Sequence, residues 1–88
     1  MQRVLIHIHG IVQGVGFRPF IHKLVKEHGL RGYIKNTSSG VELELEGERE
    51  ELSGFIEDIP RRAPKLAVIE AMETEYLPDL SLIHISEP

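Results

Sequence analysis

Residues 3–9 alternate strictly, with Val4, Ile6 and Ile8 on one side and Leu5, His7 and His9 on the other. That is the period of a half-buried strand. Between residues 19 and 28 the period changes. Phe20, Ile21, Leu24 and Val25 fall on one helical stripe, and Gly29 follows as the stop. Residues 31–37 predict a second strand, Ser38-Ser39-Gly40 a turn, and 41–46 a third strand. Val41, Leu43 and Leu45 alternate there with Glu42, Glu44 and Glu46, so one face is buried, the other is wet, and the pair is a hairpin. After Gly47 the spacing of Leu52, Phe55, Ile56 and Ile59 predicts a helix over 48–59. Glu48, Glu50 and Glu51 fill its first turn, where carboxylates favour the helix dipole. Pro60 and Pro64 bracket a connecting loop with Arg61, Arg62 and Lys65, and residues 66–76 alternate weakly as a fourth strand.

Strand, helix, strand, strand, helix, strand is the order of a split βαβ unit. It predicts an α+β, ferredoxin-like βαββαβ sandwich, an antiparallel sheet with two helices on one face. The 88 residues make one small domain near the lower limit for folding without staples. The absence of cysteine excludes disulfides and thiolate metal sites but leaves the redox compartment open. No apolar run approaches the length of a membrane span, and Met1-Gln2-Arg3 leads directly into a strand rather than a signal peptide. The expectation is a soluble cytoplasmic domain with no membrane partner.

The net charge of −4 is unevenly spread. Residues 1–40 carry six Lys/Arg and one acid, whereas 41–88 carry four Lys/Arg and thirteen acids. The acidic half is expected to present a solvated face; the basic half holds the chain's glycine loop, where the local field favours an anion. An acidic chain argues against nucleic acid as a partner. Of five aromatic residues, Phe17, Phe20 and Phe55 are expected in the core, which leaves few rings to stack on bases.

The candidate chemistry lies in Val12-Gln13-Gly14-Val15-Gly16-Phe17-Arg18, followed by Pro19. Glycines let successive N–H groups turn inward without a Cβ clash, so such a loop can form a concave anion nest. Pro19 suits a first helical turn and biases Arg18 toward an extended conformation. Nest, helix N-terminus and guanidinium would converge on one point, a phosphate site. The string is neither a Walker loop nor a dinucleotide fingerprint. Asn36, just before the turn, reads by spacing alone as either turn chemistry or a polar site residue.

A second stretch, Gly29-Leu30-Arg31-Gly32-Tyr33-Ile34-Lys35-Asn36 and then Ser39-Gly40-Val41 through Gly47, completes a pattern. From about residue 3 to about residue 76 the chain resembles the acylphosphatase family. The resemblance implies the same fold independently. It also implies acyl phosphate hydrolysis, with Arg18 as the catalytic arginine and Asn36 orienting the water. The backbone N–H groups of Gln13, Gly14, Val15, Gly16 and Phe17 would help Arg18 bind the phosphoryl oxygens, with no cofactor and no metal. An acyl phosphate carries a leaving group that departs without a proton, so no general acid is demanded. The two motifs accordingly offer no Asp, Glu or His at the site.

Phe17-Arg18-Pro19-Phe20-Ile21 and Ala63-Pro64-Lys65-Leu66-Ala67-Val68-Ile69-Glu70 resemble more closely the N-terminal domain of hydrogenase-maturation carbamoyltransferases. That branch implies carbamoyl phosphate as substrate, and downstream domains as partners. A stand-alone acylphosphatase and a non-catalytic module that binds phosphate or acyl phosphate are the alternatives. As a fragment the chain is expected to be monomeric. His7 and His9 form an H-x-H pair on an alternating strand with no third ligand nearby, which argues against a metal. His22 and His28 are expected to be exposed or at the first helix's C-terminal end, and the Arg61–Lys65 segment to be solvated.

The domain is expected to span residues 1–79. Leu80-Ser81-Leu82-Ile83-His84-Ile85-Ser86-Glu87-Pro88 match, codon for codon, one translation of a common sequencing-library transposon adapter (CTG TCT CTT ATA CAC ATC TCC GAG CCC). They are therefore expected to be a non-native tail on a truncated reading frame. Their apolar spacing would allow a short edge strand with Glu87 and Pro88 frayed.

Overall fold

The computed structural model describes residues 1–77. The elements are β1 (Gln2–Ile11), α1 (Phe17–Glu27), β2 (Arg31–Thr37), β3 (Gly40–Gly47), α2 (Arg49–Arg62) and β4 (Val68–Leu77). This is the ferredoxin-like βαββαβ sandwich. The four strands form one sheet in the order β2-β3-β1-β4, antiparallel throughout. Leu80–Pro88 and the edge strand expected there lie outside the described residues.

Period two decides which face is buried. Val4, Ile6 and Ile8 of β1 lie opposite Leu45, Leu43 and Val41 of β3, and all six are buried. Against them α1 packs Phe17, Ile21 and Leu24, and α2 packs Leu52, Phe55 and Ile59. Leu30 closes the end of this core. Burial of this kind contributes about 1.5–3 kcal/mol for each large apolar side chain. α1 stops where Gly29 takes φ +65°, a conformation that costs a Cβ-bearing residue energy. Gly29 N–H then donates to Lys26 O at 3.1 Å and Leu30 N–H to Val25 O at 3.0 Å, which satisfies the last carbonyls.

Two boundaries differ from expectation. Phe17 and Arg18 already belong to α1, with Pro19 third in the helix. The extended bias that proline imposes on its predecessor gave way because Phe17, 1 % exposed, is drawn into the core and starts the helix early. In addition, α2 runs through Pro60 to Arg62 instead of yielding to a loop. Proline's fixed φ is already helical, and so near the end its missing N–H removes a single backbone bond, from Ile56 O. The final turn is held instead from its side chains: Arg62 bonds Glu27 of α1 at 2.8 and 3.2 Å and lies 3.5 Å from Asp58. Arg61 and Arg62 therefore belong to the helix and not to a connecting loop, and Arg62 is paired to α1.

The acidic stripe of β3 is likewise more than a wet face. Glu44 pairs with Arg3 and accepts from Tyr33 Oη, and Glu42 meets His7 at 2.8 Å and Lys35 at 3.6 Å. Alternating strands of opposite charge thus neutralise one another across the open side of the sheet. Among the described residues no helix is long and apolar enough to cross a membrane.

Candidate active site

The loop between β1 and α1 is held at both ends by the core. Val12 and Phe17 are each 1 % exposed, and the segment between them arches over the surface. Within it Gly14 (φ +74°) and Gly16 (φ +79°) take the left-handed conformation with Val15 between them. Alternating backbone handedness of this kind allows successive N–H groups to turn toward one point, as in an anion nest. A Cβ placed on either glycine would meet nothing within 4 Å, so the glycines are required by conformation and the space they face is open.

Gly16 is also the N-cap of α1, and no side chain caps it. The first turn of α1 contains no acidic residue, so the positive end of the helix dipole is uncompensated by its own side chains. Pro19 lacks an N–H, which leaves the amides of the glycine loop, Phe17 and Arg18 as donors at this end. Arg18, second in α1, is half-buried. Its Nη1 donates to Asn36 Oδ1 at 3.2 Å. Asn36 is exposed on β2, paired across the hairpin with Val41. Residues eighteen apart in sequence thus meet at one point. Among the described residues one N–H of Arg18 is used, which leaves the rest of its fork for a second, bidentate partner. Asn36 Oδ1 keeps one lone pair, and its Nδ2 two donors.

Gln13 has a second role that the sequence did not reveal. Its Nε2 donates to Thr37 O at 3.2 Å and to Gly40 O at 2.9 Å, so its side chain crosses from the loop to the hairpin. No periodicity signals a contact of this kind; it follows only from the fold that brings the β1–α1 loop over the β2–β3 turn. Gly10 N–H reinforces it by donating to Ser39 O at 3.0 Å.

His7, His9 and His28 are engaged elsewhere. His7 meets Glu42, and His9 lies between Ser39 Oγ (2.9 Å) and Glu73 (3.1 Å). Among the described residues no group of three or more His, Cys, Asp or Glu is placed to hold a metal ion. His28 caps α1 at its C-terminal end, as expected, and reaches Glu51 at 2.9 Å and Asp58 at 3.1 Å.

The fold is a small α+β, ferredoxin-like sandwich in which the loop from β1 to α1 brings Arg18 against Asn36 of β2. The chain belongs to the acylphosphatase family, whose model matches residues 4–82. It is 42 % identical over 75 residues to the probable carbamoyltransferase HypF of Methanocaldococcus jannaschii, covering 85 % of this chain and 10 % of that protein. It is 38 % identical over 82 residues to the acylphosphatase of Bacillus pumilus, covering 88 % of this chain and 90 % of that one. Full-length HypF solved in its phosphate- and nucleotide-bound form superposes with a TM-score of 0.85 at 39 % identity, over 90 % of this chain and 10 % of that one. This chain therefore spans about a tenth of the carbamoyltransferases it matches and nearly the whole of the small acylphosphatase.

Proposed function

We propose that this chain hydrolyses an acyl phosphate, carbamoyl phosphate in particular, as the N-terminal domain of a hydrogenase-maturation carbamoyltransferase. The observation that carries the reading is the 3.2 Å contact between Arg18 and Asn36 at the mouth of α1, beside the two left-handed glycines. The phosphoryl oxygens would accept from the amides of Gln13 to Phe17 and from the free edge of the Arg18 guanidinium. Asn36 would hold a water by its remaining lone pair and its amide, in line with the bond to the acyl oxygen. The water oxygen bonds to phosphorus, and the phosphorus–acyl oxygen bond breaks with its electron pair leaving on the carboxylate or carbamate. The dianionic substrate and water become a monoanionic leaving group and dihydrogen phosphate, which keeps both water protons. The developing charge meets donors that are already oriented by the buried anchors Val12 and Phe17. Neither atom count nor charge calls for a general acid.

The carbamoyltransferase assignment is supported by Phe17-Arg18-Pro19-Phe20-Ile21 and by the HypF relatives of the archaeon and of Cupriavidus necator, the latter 41 % identical over 73 residues. The near-full coverage of the Bacillus pumilus acylphosphatase supports the second reading, a stand-alone enzyme with the same chemistry. Phosphate release from carbamoyl phosphate and benzoyl phosphate tests the shared chemistry. Binding of phosphate without turnover of either compound would leave a non-catalytic phosphate-binding module and overturn the enzyme reading. Within the same proposal Leu80–Pro88 is an adapter-encoded tail. Amplifying the source locus across codon 79 decides that point, since a native frame encoding the same nine residues would refute it.

A further inference from the structure

We infer that the side chain of Gln13 is a positioning residue that sets Asn36 for the reaction, a role distinct from its backbone place in the phosphate loop. This rests on the hydrolytic reading above. Thr37 and Gly40 are paired residues flanking the Ser38-Ser39 turn, and Asn36 is the residue immediately before Thr37. The Gln13 amide nitrogen donates to the carbonyl on each side of that turn, at 3.2 Å to Thr37 and 2.9 Å to Gly40. Both N–H groups of one NH2 are needed to span two carbonyls. A carboxylate, a hydroxyl or a thioether at this place cannot do it.

The contact joins the two halves of the site. Gln13 stands one residue after the buried anchor Val12, on the loop that presents the amides. Asn36 stands on β2, which among the described residues lies at an edge of the sheet and pairs with β3 alone. An edge strand near its hairpin end is the least constrained part of a sheet. The Gln13 clasp therefore holds the Asn36 end of β2 to the phosphate loop across a sequence gap of 24 to 27 residues. The Arg18–Asn36 contact then closes the remaining distance. Displacement of a water-orienting group by an ångström costs about 10²-fold in rate, so a clasp at this place acts on turnover.

The test is Gln13→Met, which keeps length and apolar stem, removes both donors and adds no charge near the phosphate. The backbone amide at this position stays in place. The expected result is a kcat for carbamoyl or benzoyl phosphate lowered about ten- to a hundred-fold, with inorganic phosphate affinity changed less than twofold. In an Asn36→Ala background, Gln13→Met should lower kcat no further, because the residue it positions is gone. Without any turnover measurement, the side-chain amide resonances of Asn36 should shift in Gln13→Met while the backbone amides of Gly14 to Phe17 hold their positions. A parallel loss of phosphate affinity would show that the side chain touches the ligand, and additive losses in the double variant would show that it acts apart from Asn36. Either overturns the inference, as does an unchanged Asn36 resonance. An inactive wild-type protein in which the Asn36 resonance still responds to Gln13→Met would refute the hydrolytic reading while leaving the clasp standing.

Discussion

The two helices of this domain begin in opposite ways. α2 opens with Glu50 and Glu51 in its first turn, so its dipole is met by its own carboxylates. α1 opens with an arginine, a proline and a left-handed glycine cap, and carries no acid there. Both sit on the same face of the same sheet, so packing does not account for the difference. A helix start that serves only stability collects negative side chains. One that collects a guanidinium and exposed amides instead leaves positive potential for something outside the chain. The same contrast holds between two arginines. Arg62 is tied to Glu27 and Asp58, whereas the side-chain partner of Arg18 is the neutral amide of Asn36.

Exchanging these arginines for alanine should break the comparison most sharply. Arg18→Ala is expected to lower kcat/KM by about 10³-fold or more, the scale on which a guanidinium acts in phosphoryl transfer, and to weaken inorganic phosphate binding. Arg62→Ala should leave turnover unchanged and lower the melting temperature slightly. Steady-state kinetics and thermal denaturation of both variants check this; equal kinetic losses would show that the two cations do not differ in kind. Asn36→Ala should come next, with kcat down about 10²-fold, the loss of one oriented polar group in a preorganised site, and phosphate affinity nearly intact. A matched fall in binding and turnover would make Asn36 a structural turn residue.

Much of this contrast is legible in the sequence, for a physical reason. Alternation and helical stripes record which side chains face the core, and Val4, Ile6, Ile8, Leu52, Phe55 and Ile59 all face it as the pattern requires. The glycine spacing around Val15 records backbone handedness in the same local way. What the sequence conceals are contacts made by side chains across long gaps. The Gln13 clasp, the pairing of Arg62 with Glu27 and the two carboxylates around His28 join residues 23 to 35 positions apart. No periodicity carries that information. Pro60 misleads for a related reason: the local rule against proline in helices is outweighed where only one bond is at stake and tertiary contacts hold the turn.

Phosphate should sharpen the comparison of helix starts. A ligand bound only by the native state stabilises by mass action, and a tenfold excess over its dissociation constant should raise the melting temperature by about 5–10 °C for a domain of this size. Backbone amide resonances of Gly14 to Arg18 should shift on titration, and those of Glu50 to Leu52 should not. A flat melting temperature at saturating phosphate, or shifts at both helix starts, would remove the distinction.

The smallest effect concerns the start of α2, where Glu51 is held by His28. The imidazole is mostly enclosed, 17 % exposed, with its edge against Phe55 and with Glu51 and Asp58 on its two nitrogens. Burial alone would push His28 toward its neutral form, but the hydrogen bonds to the two carboxylates outweigh it and hold its pKa above the usual histidine value. Asp58, in turn, is held below the usual carboxylate range, first by His28 and then by the charges of Arg62 and Arg61. A raised histidine stabilises the native state fully below its unfolded pKa, and that contribution fades as pH rises through the folded one. Stability should therefore decline from pH 6 to pH 8 by less than phosphate adds. His28→Gln, which keeps a donor but cannot take up a proton, should flatten that slope while leaving phosphate binding at the start of α1 unchanged. Melting curves of the two proteins across this range decide it. A slope that survives in His28→Gln would show that the pH dependence arises outside the cluster of His28, Glu51 and Asp58.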